Sequence, residues 1–140
     1  MSTTITPYLF YNGRCDEALQ FYKERLGATI EMVMRFNESP DPVPPGMLEP
    51  GFETKVMHAS LTIGGARLMV ADGCDSKGQS SGYKLALQVK TEAEAHKFYD
   101  ALADGGTVQM PLTKTFWSPC FGMVEDRFKI EWMVMVPGEM

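Results

Sequence analysis

The chain has 140 residues, of which 44% are hydrophobic and 22% charged, as is usual for a protein with one buried core. Its formal net charge of -5 argues against nucleic acid as a partner, because phosphate backbones are bound by basic patches. No apolar run approaches the ~20 residues of a membrane-spanning helix, so no membrane partner is expected. The N-terminus has no basic-then-apolar signal, which predicts a cytoplasmic location.

The first half of the chain predicts a strand, a helix and three further strands. These elements cover residues 5–11, 15–26, 29–36, 55–63 and 66–71. The helix has an apolar stripe and stops at Gly27, and Gly64-Gly65 between two strand-like runs is typical of a hairpin. Residues 38–52 are rich in proline and glycine and form a loop, which is either a lid or partner-contact segment or a passive surface excursion.

The second half repeats this order after a Gly/Ser loop at 74–82. The predicted elements are a strand at 83–89, a helix from 92 to about 102, and strands at 108–117, 122–125 and 130–136. Thr91 and Glu94 form a capping box at the helix start. A βαβββ order that occurs twice indicates an α+β fold rather than a doubly wound parallel sheet.

The two halves also share sequence. Each helix has a Phe-Tyr pair in its second half and is followed by a glycine turn and a strand, and Phe21 lies 77 positions before Phe98. The last strands match at an offset of 64, which places Met69 and Met133 at equivalent positions. Because neighbouring strand residues face opposite sides, we expect both methionines to face away from the helices, toward a concave surface.

These features resemble the vicinal oxygen chelate superfamily (glyoxalase I, bleomycin-resistance proteins and extradiol dioxygenases), and more closely its PhnB-like branch. The resemblance covers nearly the whole chain and is carried by residues 8–13, 18–22, 26–28, 115–117, Gly122, and 126–128 running into Trp132. The branch usually has glycine where this chain has Lys129, so the turn there must close differently or tolerate strain. No glycine-rich strand-to-helix loop for a methyl-donor nucleotide is present.

The resemblance implies a single domain over residues 1–140, built from modules at about 4–73 and 83–136. Two βαβββ modules would form curved mixed sheets around a cleft, with the helices outside. It also implies a homodimer, with or without exchanged modules, since open strand edges need covering.

Superfamily members often hold a divalent metal in the cleft, with ligands from the first and last strand of each module. Carried over by position, the resemblance gives Pro7, Met69, Lys84 and Met133. None supplies the carboxylate or imidazole that such an ion prefers. We therefore expect no cofactor and assign no metal ligand, with a divalent metal at a relocated site as the alternative.

His58 is the strongest candidate for chemistry. Strand alternation places His58 with Ser60 and Thr62 on the concave face, where an imidazole could act as a general acid or base or orient a ligand. The other interpretation is a hydrogen-bonded histidine in a polar-lined sheet. Glu131 is the second catalytic candidate, and either Glu131 or Asp72 could pair with His58, although carboxylates at strand ends are often solvated or cap turns.

The predicted ligand-binding residues are Tyr8, Met69, Trp117 and Met133. One function hypothesis is a protein that binds a small organic molecule in a Met- and aromatic-lined cleft without the superfamily metal site. The alternative is a metal-dependent lyase, isomerase or dioxygenase with a noncanonical site around His58. The sequence leaves open whether the protein is an enzyme.

Overall fold

The computed structural model describes residues 5–41, 44–74 and 82–138. The chain divides into two compact units, Met1–Gly78 and Gln79–Met140. Within the described residues, each unit contains a four-stranded mixed sheet and one α-helix, which confirms the predicted α+β class and the βαβββ order of both modules. None of the helices in these ranges is long and apolar enough to cross a membrane.

The first unit is built on the strand order β1-β4-β3-β2, in which β1 runs parallel to β4 and the other pairs are antiparallel. Its elements are β1 (Tyr8–Phe10), α1 (Cys15–Leu26), β2 (Thr29–Arg35), β3 (Val56–Ile63) and β4 (Ala66–Ala71). Two short 3₁₀ helices, Phe36–Glu38 and Phe52–Thr54, lie at the two ends of the proline-rich loop.

Helix α1 begins and ends at the predicted residues. Gly27 adopts a left-handed φ of 71°, and the Ala28 amide donates back to the Tyr22 carbonyl, so the helix stops there. The helix packs on β2 and β3. One sheet face is almost fully buried, through Ala59, Leu61, Leu68 and Val70, whereas His58 and Thr62 on the other face are only half-buried. The burial of β3 follows the predicted alternation at His58, Ala59, Leu61 and Thr62, whereas Ser60, predicted on the same face as His58, is fully buried.

The second unit has the equivalent order β5-β8-β7-β6, with β5 parallel to β8. Its elements are β5 (Leu85–Gln88), α2 (Glu92–Ala103), β6 (Thr107–Thr113), β7 (Cys120–Glu125) and β8 (Glu131–Val136). The predicted Thr91 cap is present, because its hydroxyl oxygen accepts the Glu94 amide at 3.1 Å, but the Glu94 carboxylate accepts the Thr91 hydroxyl at 3.2 Å, so the described contacts complete only the Thr91 half of the capping box.

The strand predicted at 108–117 is too long. It ends at Thr113, since the Thr115 amide donates to the Ser118 carbonyl at 2.9 Å and the Ser118 amide donates to the Thr115 hydroxyl at 3.0 Å, which folds this segment into a turn. Phe116 and Trp117 lie in this turn, so strand alternation does not fix their directions. The Gly/Ser loop predicted at 74–82 falls largely outside the described residues.

The turn at Lys129 tolerates a strained backbone. Lys129 has a φ of 71°, a region that favours glycine, while its amide donates to the Asp126 carbonyl at 3.0 Å. The Asp126 side chain holds the turn by accepting the amides of Phe128 at 2.8 Å and Ile130 at 3.1 Å. Of the two alternatives offered by the sequence, the turn takes the strained one.

We expect Lys129→Gly to stabilise the protein by about 0.5–1 kcal/mol. Relief of a left-handed penalty of about 1–2 kcal/mol exceeds the extra chain entropy that glycine loses on folding. Urea denaturation measures the change, and Lys129→Ala is the control, because it removes the ammonium group but keeps the strain. If Lys129→Ala raised the free energy of unfolding as much as Lys129→Gly, the effect would come from loss of the ammonium charge, which would contradict the prediction.

Candidate functional site

The strand register of the first unit gathers several candidate residues on the sheet face opposite α1. Tyr8 pairs with Met69 across β1 and β4, and Ser60 pairs with Met69 across β3 and β4. Strand β2 adds two methionines, beside Ser60 and His58. Cross-strand partners point to the same side. We call this surface the open face; it consists of Tyr8, Phe10, Met32, Met34, His58, Ser60 and Met69.

Tyr8 and His58, 50 positions apart, form a hydrogen-bonded pair on the open face. The Tyr8 hydroxyl lies 3.0 Å from His58 Nδ1, and the ring centroids are 5.6 Å apart. Phe10 stacks on the Tyr8 ring, with the two ring centroids 5.1 Å apart. Burial raises the pKa of Tyr8, so its hydroxyl keeps its proton at neutral pH. When that hydroxyl donates to Nδ1 of a neutral imidazole, the second nitrogen, Nε2, carries the ring proton.

Ser60 is the second polar group of this face. Its side chain is fully buried, and its Oγ has no hydrogen-bond partner among the described residues. Alternation predicted its direction, but the sequence carried no signal that its hydroxyl would be unsatisfied.

Asp72 is not a partner of His58. Its carboxylate is fully buried and accepts three backbone amides, from Gly13 at 2.8 Å, Cys15 at 2.7 Å and Val56 at 2.9 Å. The Cys15 amide belongs to the first residue of α1, so Asp72 caps the helix and ties it to β3. The same burial raises the pKa of the Cys15 thiol, with a further contribution from the Asp72 charge.

Glu131 lies in a polar cluster of the second unit. Its carboxylate accepts hydrogen bonds from Lys84 Nζ at 3.0 Å and from Gln109 Nε2 at 3.1 Å. These hydrogen bonds, that from Lys84 first, lower the pKa of Glu131. A carboxylate held in its charged form is a weak general base, so the arrangement favours an orienting role over proton transfer. The catalytic role of Glu131 stays a prediction.

The second unit places apolar residues where the open face has polar ones. Met133 pairs with Ala86 and Met123, as Met69 pairs with Tyr8 and Ser60. The equivalent positions are therefore Tyr8 and Ala86, His58 and Phe121, Ser60 and Met123, and Met69 and Met133. Tyr8, His58 and Ser60 thus have apolar residues at the equivalent positions of the second unit.

Trp117 packs in an aromatic cluster of the second unit. Its ring lies edge-on to Phe121 at 5.5 Å and to Phe116 at 4.8 Å, and Phe116 is 95% exposed. The neighbouring Cys120 is buried, which raises the pKa of its thiol and disfavours a nucleophilic role. The ligand-binding roles of Trp117 and Met133 stay predictions.

Comparison with known proteins agrees with this geometry. The family model described as the Glyoxalase/Bleomycin resistance protein/Dioxygenase superfamily matches residues 4–134. The chain belongs to this superfamily. It is 34% identical over 140 residues to Protein YjdN of Escherichia coli K12, an alignment that covers 94% of each chain. The predicted family resemblance is therefore confirmed.

Two solved structures extend the comparison. Protein PA1353 from Pseudomonas aeruginosa is 40% identical, with a TM-score of 0.84 over 99% of this chain and 100% of that one. The PhnB protein from Bacillus cereus is 26% identical, with a TM-score of 0.78 over 96% of this chain and 99% of that one. The latter similarity supports the PhnB-like assignment within the superfamily.

The metal positions carried over from the superfamily can be placed on the two sheets. Tyr8 rather than Pro7 is the register partner of Met69, and the Pro7 carbonyl accepts the Met69 amide at 3.0 Å. Ala86 rather than Lys84 is the register partner of Met133, and the ammonium group of Lys84 repels a divalent cation. In the described ranges, no three His, Cys, Asp or Glu side chains are grouped so as to hold a metal. These positions do not fit the superfamily metal, and the expectation that no cofactor is needed stays a prediction.

We expect Lys84→Met to raise the pKa of Glu131 toward its ordinary value. The pKa of Glu131 is lowered in the folded protein. The Lys84–Glu131 pair therefore stabilises the fold at pH values above the ordinary glutamate pKa of about 4.3, and this stabilisation is lost as the pH falls through the lowered pKa of the folded protein. Carboxyl ¹³C NMR measures the pKa, and urea denaturation should show a gap between wild type and variant at pH 7 that closes toward pH 3. Lys23→Met on the exposed side of α1 is the control; an unchanged Glu131 pKa in Lys84→Met would contradict the prediction.

Proposed function

We propose that this protein binds a small organic molecule on the open face of its first unit, without the superfamily metal. The observation that carries the proposal is the hydrogen bond of 3.0 Å between the Tyr8 hydroxyl and His58 Nδ1. It holds an imidazole at a fixed angle beside an apolar surface, and the described contacts include no carboxylate on that imidazole. A fixed polar group on an apolar surface orients a ligand.

Large apolar side chains of the open face remain accessible. Tyr8 is 39%, Phe10 45% and Met32 39% exposed. Covering such a surface with a ligand favours binding by about 25 cal/mol for each Å² of apolar area buried. Methionine suits such a site because its flexible, polarizable side chain adapts to ligands of different shape.

Superfamily membership is compatible with binding and with catalysis, since the family description includes resistance proteins and dioxygenases. The names YjdN and PA1353 specify no ligand, whereas the name of the Bacillus cereus PhnB protein includes 3-demethylubiquinone-9 3-methyltransferase. The lowered pKa of Glu131 and the superfamily positions without metal ligands support binding over catalysis.

Within this proposal the protein is a cytoplasmic homodimer, which sedimentation of the purified protein and cell fractionation can test.

Binding on the open face can be followed through its methionines. In protein labelled with ¹³C at the methionine methyl groups, we expect naphthalene to shift the signals of Met32, Met34 and Met69. Met69→Ala should weaken binding about fivefold to tenfold, because it removes part of the apolar contact. Met47, which is 53% exposed in the proline-rich loop, provides the control signal and the control variant Met47→Ala. Shifts that spare the open face would contradict the proposal.

The metal-dependent alternative depends on His58, whose Nε2 has no partner among the described contacts. Chelator-stripped wild type and His58→Ala would be heated with Zn²⁺, Mn²⁺, Ni²⁺, Fe²⁺ and Mg²⁺. A ligand at one hundred times its Kd stabilises a protein by about 2.7 kcal/mol, which shifts the Tm measurably. We expect no shift. A shift that His58→Ala abolishes would favour a metal-dependent lyase, isomerase or dioxygenase with a site around His58.

A further inference from the structure

Ser60 carries an unexplained polar group in the middle of an apolar surface. Its hydroxyl is fully buried and has no partner among the described residues, while its cross-strand neighbours are Met32 and Met69. A buried hydroxyl without a hydrogen bond destabilises a fold, and such groups are rare. Alanine at this position would retain the packing without this cost.

The second unit shows that the architecture does not need this hydroxyl. Met123 occupies the position equivalent to Ser60, with the same neighbour on the last strand, since Met123 pairs with Met133 as Ser60 pairs with Met69. The same fold is thus built with a fully apolar residue at this point. The serine is a feature of the open face rather than of the βαβββ unit.

His58 and Ser60 are two positions apart on β3 and face the same side, so their Cα atoms are about 6.6–7 Å apart. Both offer hydrogen-bonding capacity that the described contacts leave unused, at Nε2 and at Oγ. The side chains of Met32 and Met69 flank Ser60, and their three rotatable bonds allow them to move aside. A flat molecule lying between these methionines and the Tyr8–Phe10 stack would then reach the hydroxyl.

The charges of this surface indicate an uncharged ligand. Arg67 and Glu31 form an ion pair at 3.5 Å, so their charges offset each other. Both residues flank the open face, whose own polar groups are a phenol, an imidazole and a hydroxyl. Selection among ligands therefore depends on shape and hydrogen bonding.

We infer that Ser60 determines the specificity of the open face, which takes a neutral aromatic molecule bearing a hydroxyl or carbonyl group. The ligand's oxygen forms a hydrogen bond with Ser60 Oγ, and its ring lies against Met32, Met69 and Tyr8. A serine hydroxyl donates and accepts, so both substituents fit. This inference rests on the proposed function of the open face.

The test compares two probes, 2-naphthol and naphthalene, in wild type and Ser60→Ala, with Kd values from the methionine methyl NMR titration. Wild type should prefer 2-naphthol, and Ser60→Ala should reduce the ratio of the two Kd values about fivefold, the usual effect of one hydrogen bond. Naphthalene should bind the variant as tightly as wild type, because it cannot use the hydroxyl.

A second measurement needs no ligand. Ser60→Ala should raise the Tm of the free protein by about 2–4 °C, because it removes an unsatisfied buried hydroxyl. Ser118→Ala is the matched control and should lower the Tm. Ser118 is also buried, but its hydroxyl lies 2.6 Å from the Val136 carbonyl and accepts the Cys120 amide at 3.1 Å.

Three results would overturn the inference. If both probes bind and Ser60→Ala leaves their ratio unchanged, the hydroxyl does not contact the ligand, and the proposed function still stands. If Ser60→Ala lowers the Tm as Ser118→Ala does, the Ser60 hydroxyl already has a partner in the free protein. If neither probe binds wild type, the inference fails together with binding of aromatic molecules on the open face.

Discussion

The buried carboxylate of Asp72 is the interaction on which the first unit depends. It accepts the amides of Gly13, Cys15 and Val56, and the Asp72 amide in turn donates to the Val56 carbonyl at 2.9 Å. These bonds join the end of β4 to the start of β3 and to the first turn of α1. Because β4 pairs with both β1 and β3, the same bonds fix the register that brings Tyr8 beside His58. Buried hydrogen bonds to a charged group are strong, so a shift of register would leave this charge unsatisfied.

The second unit repeats the fold with a different polar interior. Its buried carboxylate, Asp126, follows β7 rather than the last strand and accepts the indole N–H of Trp132 at 3.0 Å. Both units have a polar contact between the last strand and the bulge of the outer strand. In the first unit Arg67 of β4 contacts Glu31 of β2 at 3.5 Å, and in the second unit Gln109 of β6 donates to Glu131 of β8 at 3.1 Å. A contact of the kind made by Glu131 therefore occurs in both units, whereas the Tyr8–His58 pair is a feature of the first unit.

The sequence predicted elements that are determined locally. The end of α1 follows from Gly27, and the start of α2 follows from Thr91, since each of these two ends is determined by residues within one turn. Alternation also predicted the direction of His58. The pairing of Tyr8 with His58 was not predicted, because it depends on the register of strands 50 positions apart. Capping was one interpretation of Asp72, but its partners were not predicted, since the Gly13 amide lies 59 positions away.

The contrast between Glu131 and His58 shows what separates a candidate site from a structural cluster. Glu131 is neutralised by Lys84 of its own unit, and its two carboxylate oxygens already accept hydrogen bonds. His58 has one nitrogen held by Tyr8, which orients the ring, and a second nitrogen without a partner among the described contacts. A group that is fixed but not saturated can form new hydrogen bonds at no cost to the fold. For that reason the proposed site lies on the open face and not around Glu131.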